Sequence, residues 1–150
     1  NNIFNNDNRK NRNLMKNYSI KDYKLIYKIN TRWKDLDAFQ HINNAVYATY
    51  IESARVDLFK RWGILGTNEG KSIIMASLKI DYFHQLKHPT SLTIGQRITR
   101  IGNTSFDIES IIFNEDKNPI CLSVVVAVCF DFNTQKPVQV YDSIKDDFKK

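Results

Sequence analysis

One long helical segment stands between a single strand-like segment and four others, and this order limits the folds available to the chain. Between residues 46 and 62 the apolar side chains recur mostly every three or four positions, the spacing of one helix face. Asn43 or Asn44 can cap the start of this helix, and Gly63 stands where a glycine commonly ends one. We therefore predict a long helix that is apolar enough for a sheet to wrap around it.

The other patterned segments show the period-two alternation of β-strands. In chain order they cover residues 23–33, 72–83, 91–101, 105–114 and 120–131. Short links rich in Gly, Asn or Pro separate the last four segments, and such links favour antiparallel hairpins between each strand and the next. The sequence therefore predicts an α+β domain in which one antiparallel sheet packs against one helix.

The composition is that of one ordinary globular domain. The chain has 150 residues, and its nine Phe, seven Tyr and two Trp exclude a largely disordered protein. No apolar run approaches the about 20 residues that a membrane-spanning helix needs. Cys121 and Cys129 lie too far apart in one predicted strand for a disulfide. Two reduced core thiols favour a reducing compartment, and we predict a cytoplasmic protein.

The first part of the chain differs from the rest. Residues 1–17 contain eight Asn and few residues that could build a core, so we interpret residues 1–20 as an Asn- and Lys-rich arm or leader remnant. A leader remnant would place the protein in an organelle instead. Residues 21–150 form the predicted domain. The formal net charge is +6, but no basic stripe indicates nucleic-acid binding.

The segment that carries chemistry lies between the first predicted strand and the helix. Residues 35–44 read Asp-Leu-Asp-Ala-Phe-Gln-His-Ile-Asn-Asn, which places two carboxylates, one imidazole and three carboxamides in ten positions. The start of a helix offers unpaired backbone N–H groups and a positive dipole end. Such a position can hold a carboxylate or polarise a carbonyl group, as an oxyanion hole does.

This segment resembles a known family. Together with Tyr47 and the run Tyr-Ile-Glu-Ser-Ala-Arg at residues 50–55, it is similar to the D-x-D-x-x-G-H-x-N-N-x-x-Y pattern of hotdog-fold acyl-CoA thioesterases, in their 4-hydroxybenzoyl-CoA thioesterase-like branch. Residues 76–83 resemble the second strand of that family. The resemblance implies a hotdog fold, in which an antiparallel sheet of five or six strands wraps around one long central helix.

The resemblance also implies an activity. Such proteins hydrolyse acyl thioesters of coenzyme A, or of acyl carrier protein, to a free acid and a thiol, as in fatty acid metabolism. The acid at Asp37 would act as nucleophile or as general base toward water. Backbone amides near Asn43, Asn44 and Ala45 would hold the thioester oxygen. No metal or organic cofactor is implied, and the expected assembly is a homodimer or homotetramer with the acyl-CoA site at a dimer interface.

The roles of the flanking residues are open at this point. His41 would orient a carboxylate or contact the substrate, or else tie the loop to the helix. Asn44 would be a helix cap, an active-site residue or both, and Tyr47 would line the substrate site or the core. Asp35 would share the active site or, as the favoured interpretation, be a solvent-facing turn acid. Gln40 replaces the family's usual glycine, which a positive φ or a close approach of substrate would require.

Two other functions remain open from the residues alone. A hotdog dehydratase would remove water from 3-hydroxyacyl thioesters, and a non-catalytic hotdog domain would only bind an acyl thioester or a partner protein. The presence of Asp37 counts against the binding domain, while Gln40 keeps it possible. Four scattered cations are weak candidates for contact with the coenzyme A phosphates: Lys87, His88, Arg97 and Arg100.

Overall fold

Six strands form one antiparallel sheet in the computed structural model, which describes residues 18–65 and 69–150. The strands are β1 (Leu25–Asn30), β2 (Lys71–Tyr82), β3 (Ser91–Ile101), β4 (Ser105–Phe113), β5 (Pro119–Asp131) and β6 (Lys136–Pro137). The helices are α1 (Asn44–Arg61) and α2 (Asp142–Lys149), and short 3-10 turns cover Ile20–Asp22 and Trp33–Asp35. The predicted α+β arrangement of one long helix and an antiparallel sheet is confirmed.

Helix α1 begins and ends where the sequence predicts. The Asn43 side chain accepts a hydrogen bond from the Ala45 N–H at 3.0 Å, which caps the first turn. At the other end Gly63 has a φ of 68°, the left-handed conformation that closes many helices. Six residues of the helix are buried, among them Tyr47 and Tyr50, and they pack against the inner face of the sheet to form the main core.

The strand order across the sheet is β1-β3-β4-β5-β2, with the short β6 beside β5. The hairpins predicted from β3 to β4 and from β4 to β5 are confirmed. The hairpin predicted from β2 to β3 is wrong, because β2 pairs with β5 and lies at the opposite edge from β1. The connecting loop is held instead by backbone bonds, from Phe83 N–H to the Ile120 carbonyl and from Ile42 N–H to the Leu86 carbonyl, both at 2.8 Å. This crossover brings the end of β2 beside the start of α1.

The first strand is shorter than its alternating pattern predicts. Strand β1 ends at Asn30, and Trp33 is 78% exposed rather than buried with the strand's inner face. The chain turns here because the Asp35 N–H donates to the Arg32 carbonyl at 2.9 Å and the Arg32 N–H donates to the Asp35 carboxylate at 2.9 Å. The predicted strand over residues 23–33 is therefore too long at its end. A turn replaces its last residues and leads into the polar segment at residues 35–44.

The outer face of the sheet carries a smaller cluster around Tyr23. The Tyr23 ring lies directly over Gly95, where a Cβ atom would come within 2.6 Å of the ring. The Tyr23 hydroxyl donates to Glu109 at 2.7 Å, and the Arg97 guanidinium lies 4.9 Å from the ring centre. Residues 18–20 of the predicted arm belong to this packed region, and residues 1–17 lie outside the described residues.

Both cysteines are unpaired and buried on β5, as predicted. Burial raises the pKa of Cys121 to about 12, so this thiol stays protonated and behaves as a small apolar core residue. Within the described residues, no helix is long and apolar enough to cross a membrane.

Candidate active site

Asp35 is the buried anchor of the segment that precedes α1. Its side chain is 2% exposed, so the expected solvent-facing position is wrong. The carboxylate accepts hydrogen bonds from the Tyr50 hydroxyl at 2.6 Å and from the Arg32 backbone N–H at 2.9 Å. Its main-chain carbonyl accepts from the Asn43 N–H at 2.9 Å. Asp35 therefore ties both ends of the loop to the helix.

The contacts around Asp35 determine its charge state. Burial by itself would raise the pKa of this carboxyl, but the hydrogen bonds from Arg32 and Tyr50 outweigh burial and hold the pKa below its usual value. Burial, followed by the hydrogen bond to Asp35, raises the pKa of Tyr50, whose hydroxyl therefore remains a donor. Asp35 is ionised at neutral pH, and its carboxylate is engaged in bonds that hold the loop to the helix.

Asp37 lies two positions further along, in a tight turn. Its Oδ1 atom accepts from the Phe39 N–H at 2.8 Å and from the His41 N–H at 3.2 Å. Its own N–H donates to the His41 carbonyl at 2.8 Å. Among the described residues no donor engages the second carboxylate oxygen, Oδ2. The turn thus fixes the carboxylate through one oxygen and leaves the other available.

Gln40 has a φ of 62°, which is the left-handed conformation that glycine adopts most easily. Its N–H donates to the Asp37 carbonyl at 3.1 Å, and this bond requires the chain to fold back sharply. The backbone therefore adopts the shape that a glycine would favour, with a glutamine in its place. The exposed Gln40 side chain stands beside the Asp37 turn.

Some of the backbone N–H groups at the start of α1 already donate hydrogen bonds within the protein, so they are not available to a substrate. The Asn43 N–H donates to the Asp35 carbonyl, and the Ala45 N–H donates to the Asn43 side chain at 3.0 Å. Within the described part of the chain, the Asn44 N–H has no acceptor. Of the three amides expected to hold a substrate oxygen, the structure leaves that of Asn44 unoccupied at the positive end of the helix.

A cleft of about 270 Å³ opens beside this amide. One wall is the start of α1, with Asn44 and Tyr47, and the other is the end of β2 and the following loop. The Tyr82 hydroxyl donates to the Asn44 carbonyl at 2.9 Å and joins the two walls. Burial raises the pKa of Tyr47 to about 12, with a smaller contribution from the Asp37 charge, so Tyr47 is a neutral wall residue.

Comparison with known proteins identifies the family. A family model described as the thioesterase-like superfamily matches residues 31–148, which includes the Asp37 turn, the cleft and most of the sheet. The chain belongs to this superfamily. The predicted hotdog fold and the reaction class, thioester hydrolysis, are confirmed with it.

Three relatives illustrate how far the similarity of this thioesterase-like chain extends. The long-chain acyl-CoA thioesterase FadM of Escherichia coli is 24% identical over 124 residues, which are 79% of this chain and 92% of FadM. A predicted thioesterase from Bacillus stearothermophilus matches with a TM-score of 0.75 and 26% identity, over 83% of this chain and 93% of its own. A thioesterase from Thermus thermophilus, solved with coenzyme A and zinc, gives a TM-score of 0.73 at 23% identity, over 85% and 99%.

Most of the predicted phosphate-binding cations of this thioesterase-like chain have other partners. Arg97 pairs with Glu109 at 2.7 Å, and Arg100 pairs with Asp107 at 2.7 Å, on the outer face of the sheet. The Nδ1 atom of His88 lies 2.9 Å from the Thr31 hydroxyl. Lys87 is exposed, so it is the one residue of that group with no partner among the described residues.

Sequence reasoning missed the second wall of the cleft, which carries His84 and Gln85. Both side chains are exposed, and neither has a hydrogen-bond partner among the described residues. The wall meets the helix through the contact between Tyr82 and Asn44, which are 38 positions apart in sequence. No local pattern predicts such a contact. Among residues 18–65 and 69–150, no three or more His, Cys, Asp or Glu side chains are grouped to hold a metal ion.

Proposed function

We propose that this chain hydrolyses acyl thioesters of coenzyme A to a free acid and a thiol. The observation that carries the proposal is the Asp37 carboxylate, which is fixed through one oxygen and available through the other, and whose charge helps to raise the pKa of Tyr47 in the wall of the cleft at the start of α1. FadM, a long-chain acyl-CoA thioesterase by name, supports coenzyme A as the carrier. Thioesters of acyl carrier protein are the second carrier to test.

In the proposed reaction, Asp37 supplies either the nucleophile or the base. As a base, its Oδ2 atom takes a proton from water while the water oxygen bonds to the thioester carbon. As a nucleophile, Oδ2 bonds to that carbon itself, and water later hydrolyses the resulting anhydride. In both routes the carbon–sulfur bond breaks and the thiolate leaves. A thioester carbon is electrophilic enough for a carboxylate or an activated water.

The negative charge that develops on the thioester oxygen needs a fixed donor. We assign this role to the Asn44 N–H, because the amides of Asn43 and Ala45 are engaged elsewhere. The His41 ring, which has no partner among the described residues, would contact the substrate beside Asp37. Gln40 and Tyr47 would line the approach of the acyl thioester.

We further propose that the active protein is a dimer formed through β2. This strand lies at the edge of the sheet, and its inner face exposes Met75 by 43% and Leu78 by 46%. An exposed apolar edge strand readily pairs with another strand. Beside it, a groove of about 610 Å³ between α1 and β2 is lined mainly by apolar residues and by the buried Arg55. A second copy of the chain would cover both features.

The residues of β2 are self-complementary in one antiparallel register. A twofold axis between Ala76 and Ser77 would place Met75 opposite Leu78 of the partner subunit. It would also place Ile73 opposite Ile80 of the partner subunit. The bulge between Met75 and Ser77 turns all four of these side chains to the inner face. Apolar residues would therefore face apolar residues along the joined edge.

The direct test of the catalytic proposal measures free-thiol release from acyl-CoA thioesters with short, long and aryl acyl groups. The variant to compare is Asp37→Asn, because its carboxamide oxygen can still accept from the Phe39 and His41 N–H groups. The turn should therefore survive while the base or nucleophile is lost. We expect kcat to fall by about a hundredfold or more with an unchanged melting temperature.

A control variant and two further outcomes distinguish an error in the role of Asp37 from an error in the carrier. Asp57→Asn changes an exposed acid on α1 and should leave turnover unchanged. Equal activity of the wild type and Asp37→Asn would refute the role of Asp37. Absence of turnover on every coenzyme A thioester would refute the carrier assignment, and carrier-protein thioesters would then be assayed with the same pair of proteins.

A further inference from the structure

The cleft at the start of α1 has two walls, and the function proposed above uses only one of them. Besides Asn44 and Tyr47, the cleft is lined by Tyr82, Phe83, His84 and Gln85. These four residues end β2 and begin the loop that crosses to β3. A substrate carbonyl held by the Asn44 N–H would therefore lie opposite this second wall.

The second wall is held firmly in place. The Tyr82 hydroxyl donates to the Asn44 carbonyl at 2.9 Å, which ties the wall to the helix start. The N–H groups of Phe83 and His84 both donate to the Ile120 carbonyl, at 2.8 and 3.2 Å. Since the backbone of His84 is bonded, the residue itself is held on the rim of the cleft.

The helix start alone supplies too few donors. A developing oxyanion is stabilised by donors placed in advance, and an oxyanion hole usually contains more than one. Here the Asn43 N–H is used by Asp35 and the Ala45 N–H by the Asn43 side chain. Only the Asn44 N–H is left at this point of the described chain, and a side chain in the cleft can supply the second donor.

We propose that the His84 imidazole is the second donor to the thioester oxygen, opposite the Asn44 N–H. The inference rests on the proposed thioester hydrolysis. His84 lines the cleft, its ring has no partner among the described residues, and an imidazole always carries an N–H that can donate. Gln85 lines the same cleft, but its own backbone N–H is not bonded to the sheet, so His84 is the better-positioned donor.

His88 provides a matched comparison within the same loop. Its Nδ1 atom lies 2.9 Å from the Thr31 hydroxyl, and it does not line the cleft. A substitution at His88 therefore removes an imidazole from the loop without removing a donor from the site. Gln85→Ala tests in the same way whether any polar side chain of the second wall is sufficient.

The experiment compares kcat and KM of the wild type, His84→Ala, His84→Gln, His88→Ala and Gln85→Ala on the acyl-CoA thioester that the wild type hydrolyses best. We expect His84→Ala to lower kcat by about a hundredfold, the effect of one lost oxyanion donor, with little change in KM. His84→Gln retains an N–H donor and should recover at least tenfold of that loss. His88→Ala should keep kcat within about threefold of the wild type, and Gln85→Ala should lower kcat less than His84→Ala does.

Three results would overturn the inference. Unchanged kcat in His84→Ala would exclude a donor role, and equal losses in the Ala and Gln variants would do so as well. A rise in KM with unchanged kcat would assign His84 to substrate binding alone. These results all require an active wild type, whereas a wild type that is inactive on every thioester refutes the proposed function itself.

Discussion

Gln40 places conformational strain one turn away from the proposed catalytic acid. A residue with a side chain pays about 1–2 kcal/mol in the left-handed region, and Gln40 has a φ of 62° there. Two hydrogen bonds hold the turn in this conformation. The Gln40 N–H donates to the Asp37 carbonyl, and the His41 N–H donates to the Asp37 carboxylate. Strain that is held in this way can position a catalytic group.

Replacing this residue with glycine should stabilise the protein. Gln40→Gly removes the strain but makes the unfolded chain more flexible, and we expect a net gain of about 0.5–1 kcal/mol in the free energy of unfolding. Urea unfolding followed by tryptophan fluorescence measures this difference. Lys117→Gly is the matched control, because Lys117 also has a φ of 62° and lies in the turn between β4 and β5. If Gln40→Gly loses stability while Lys117→Gly does not, the glutamine side chain contributes contacts of its own.

At the scale of single residues, the sequence predicted the proposed acid, a helix cap at Asn43 or Asn44, and either a positive φ or a close approach of substrate at position 40. The structure has the cap at Asn43 and a positive φ at Gln40. It did not predict that Asp35 is buried, because that depends on the Tyr50 hydroxyl reaching back from the helix. It also missed His84, whose place in the cleft follows from a contact between Tyr82 and Asn44. Residues that meet only after folding leave no local pattern in the sequence.

At the scale of elements, the Asp35 carboxylate couples the loop to α1. Asp35→Asn keeps the size of the side chain but removes the charge that Tyr50 and Arg32 hydrogen-bond. We expect a loss of about 2 kcal/mol in the free energy of unfolding at pH 7. Tyr50→Phe removes one of these bonds and should cost about half as much. Urea unfolding of the three proteins gives these differences, and equal stability of all three would exclude the anchoring role.

The stabilisation of the fold by the Asp35 carboxylate depends on pH, because the pKa of Asp35 is lowered in the folded protein. A carboxyl whose folded pKa lies below its unfolded value of about 3.9 stabilises the fold fully above that value. The contribution is lost as the pH falls through the folded pKa. The difference in stability between the wild type and Asp35→Asn should therefore be constant near neutral pH and shrink below about pH 4. A difference that grows on acidification would contradict this assignment.

Periodicity predicted the elements themselves better than their connections. The helix and four strands lie within a residue or two of their predicted bounds, because each carries its own apolar pattern. The exception is β1, whose pattern continues past Asn30 into a turn made by Arg32 and Asp35. The partner of β2 was also not predictable, since a loop of eight residues permits either a hairpin or a crossover. The pairing of β2 with β5 depends on how all the strands of the sheet pack together.

At the scale of the whole molecule, the single chain has two neighbouring surfaces that a second copy could cover. The outer edge of β2 has backbone groups that face no strand in the described chain, and the neighbouring groove contains the buried Arg55. The nearest carboxylate to this guanidinium is Glu52 at 3.9 Å, and burial lowers the pKa of Arg55. A second copy across β2 would pair the edge and cover the groove, which is why the dimer belongs to the proposed function.

The proposed register can be tested by exchanging charges across it. Met75→Lys alone would place a charge opposite Leu78 of the partner subunit, and Leu78→Glu alone would place one opposite Met75 of the partner subunit. Each single variant should shift the protein toward monomer in sedimentation velocity. The double variant Met75→Lys/Leu78→Glu should restore the dimer, because lysine then faces glutamate at both symmetric positions. Both side chains are over 40% exposed in the single chain, so the monomers should fold.

A register shifted along β2 gives a different result. If Met75 does not face Leu78 of the partner subunit, the double variant is as monomeric as the singles, since four charges then lie unpaired along the edge. If no variant changes the sedimentation coefficient of a dimeric wild type, the dimer uses another surface. Turnover measured on the same samples links assembly to function. The acyl-CoA site is expected at the dimer interface, so kcat should fall in the monomeric variants and recover in the double variant.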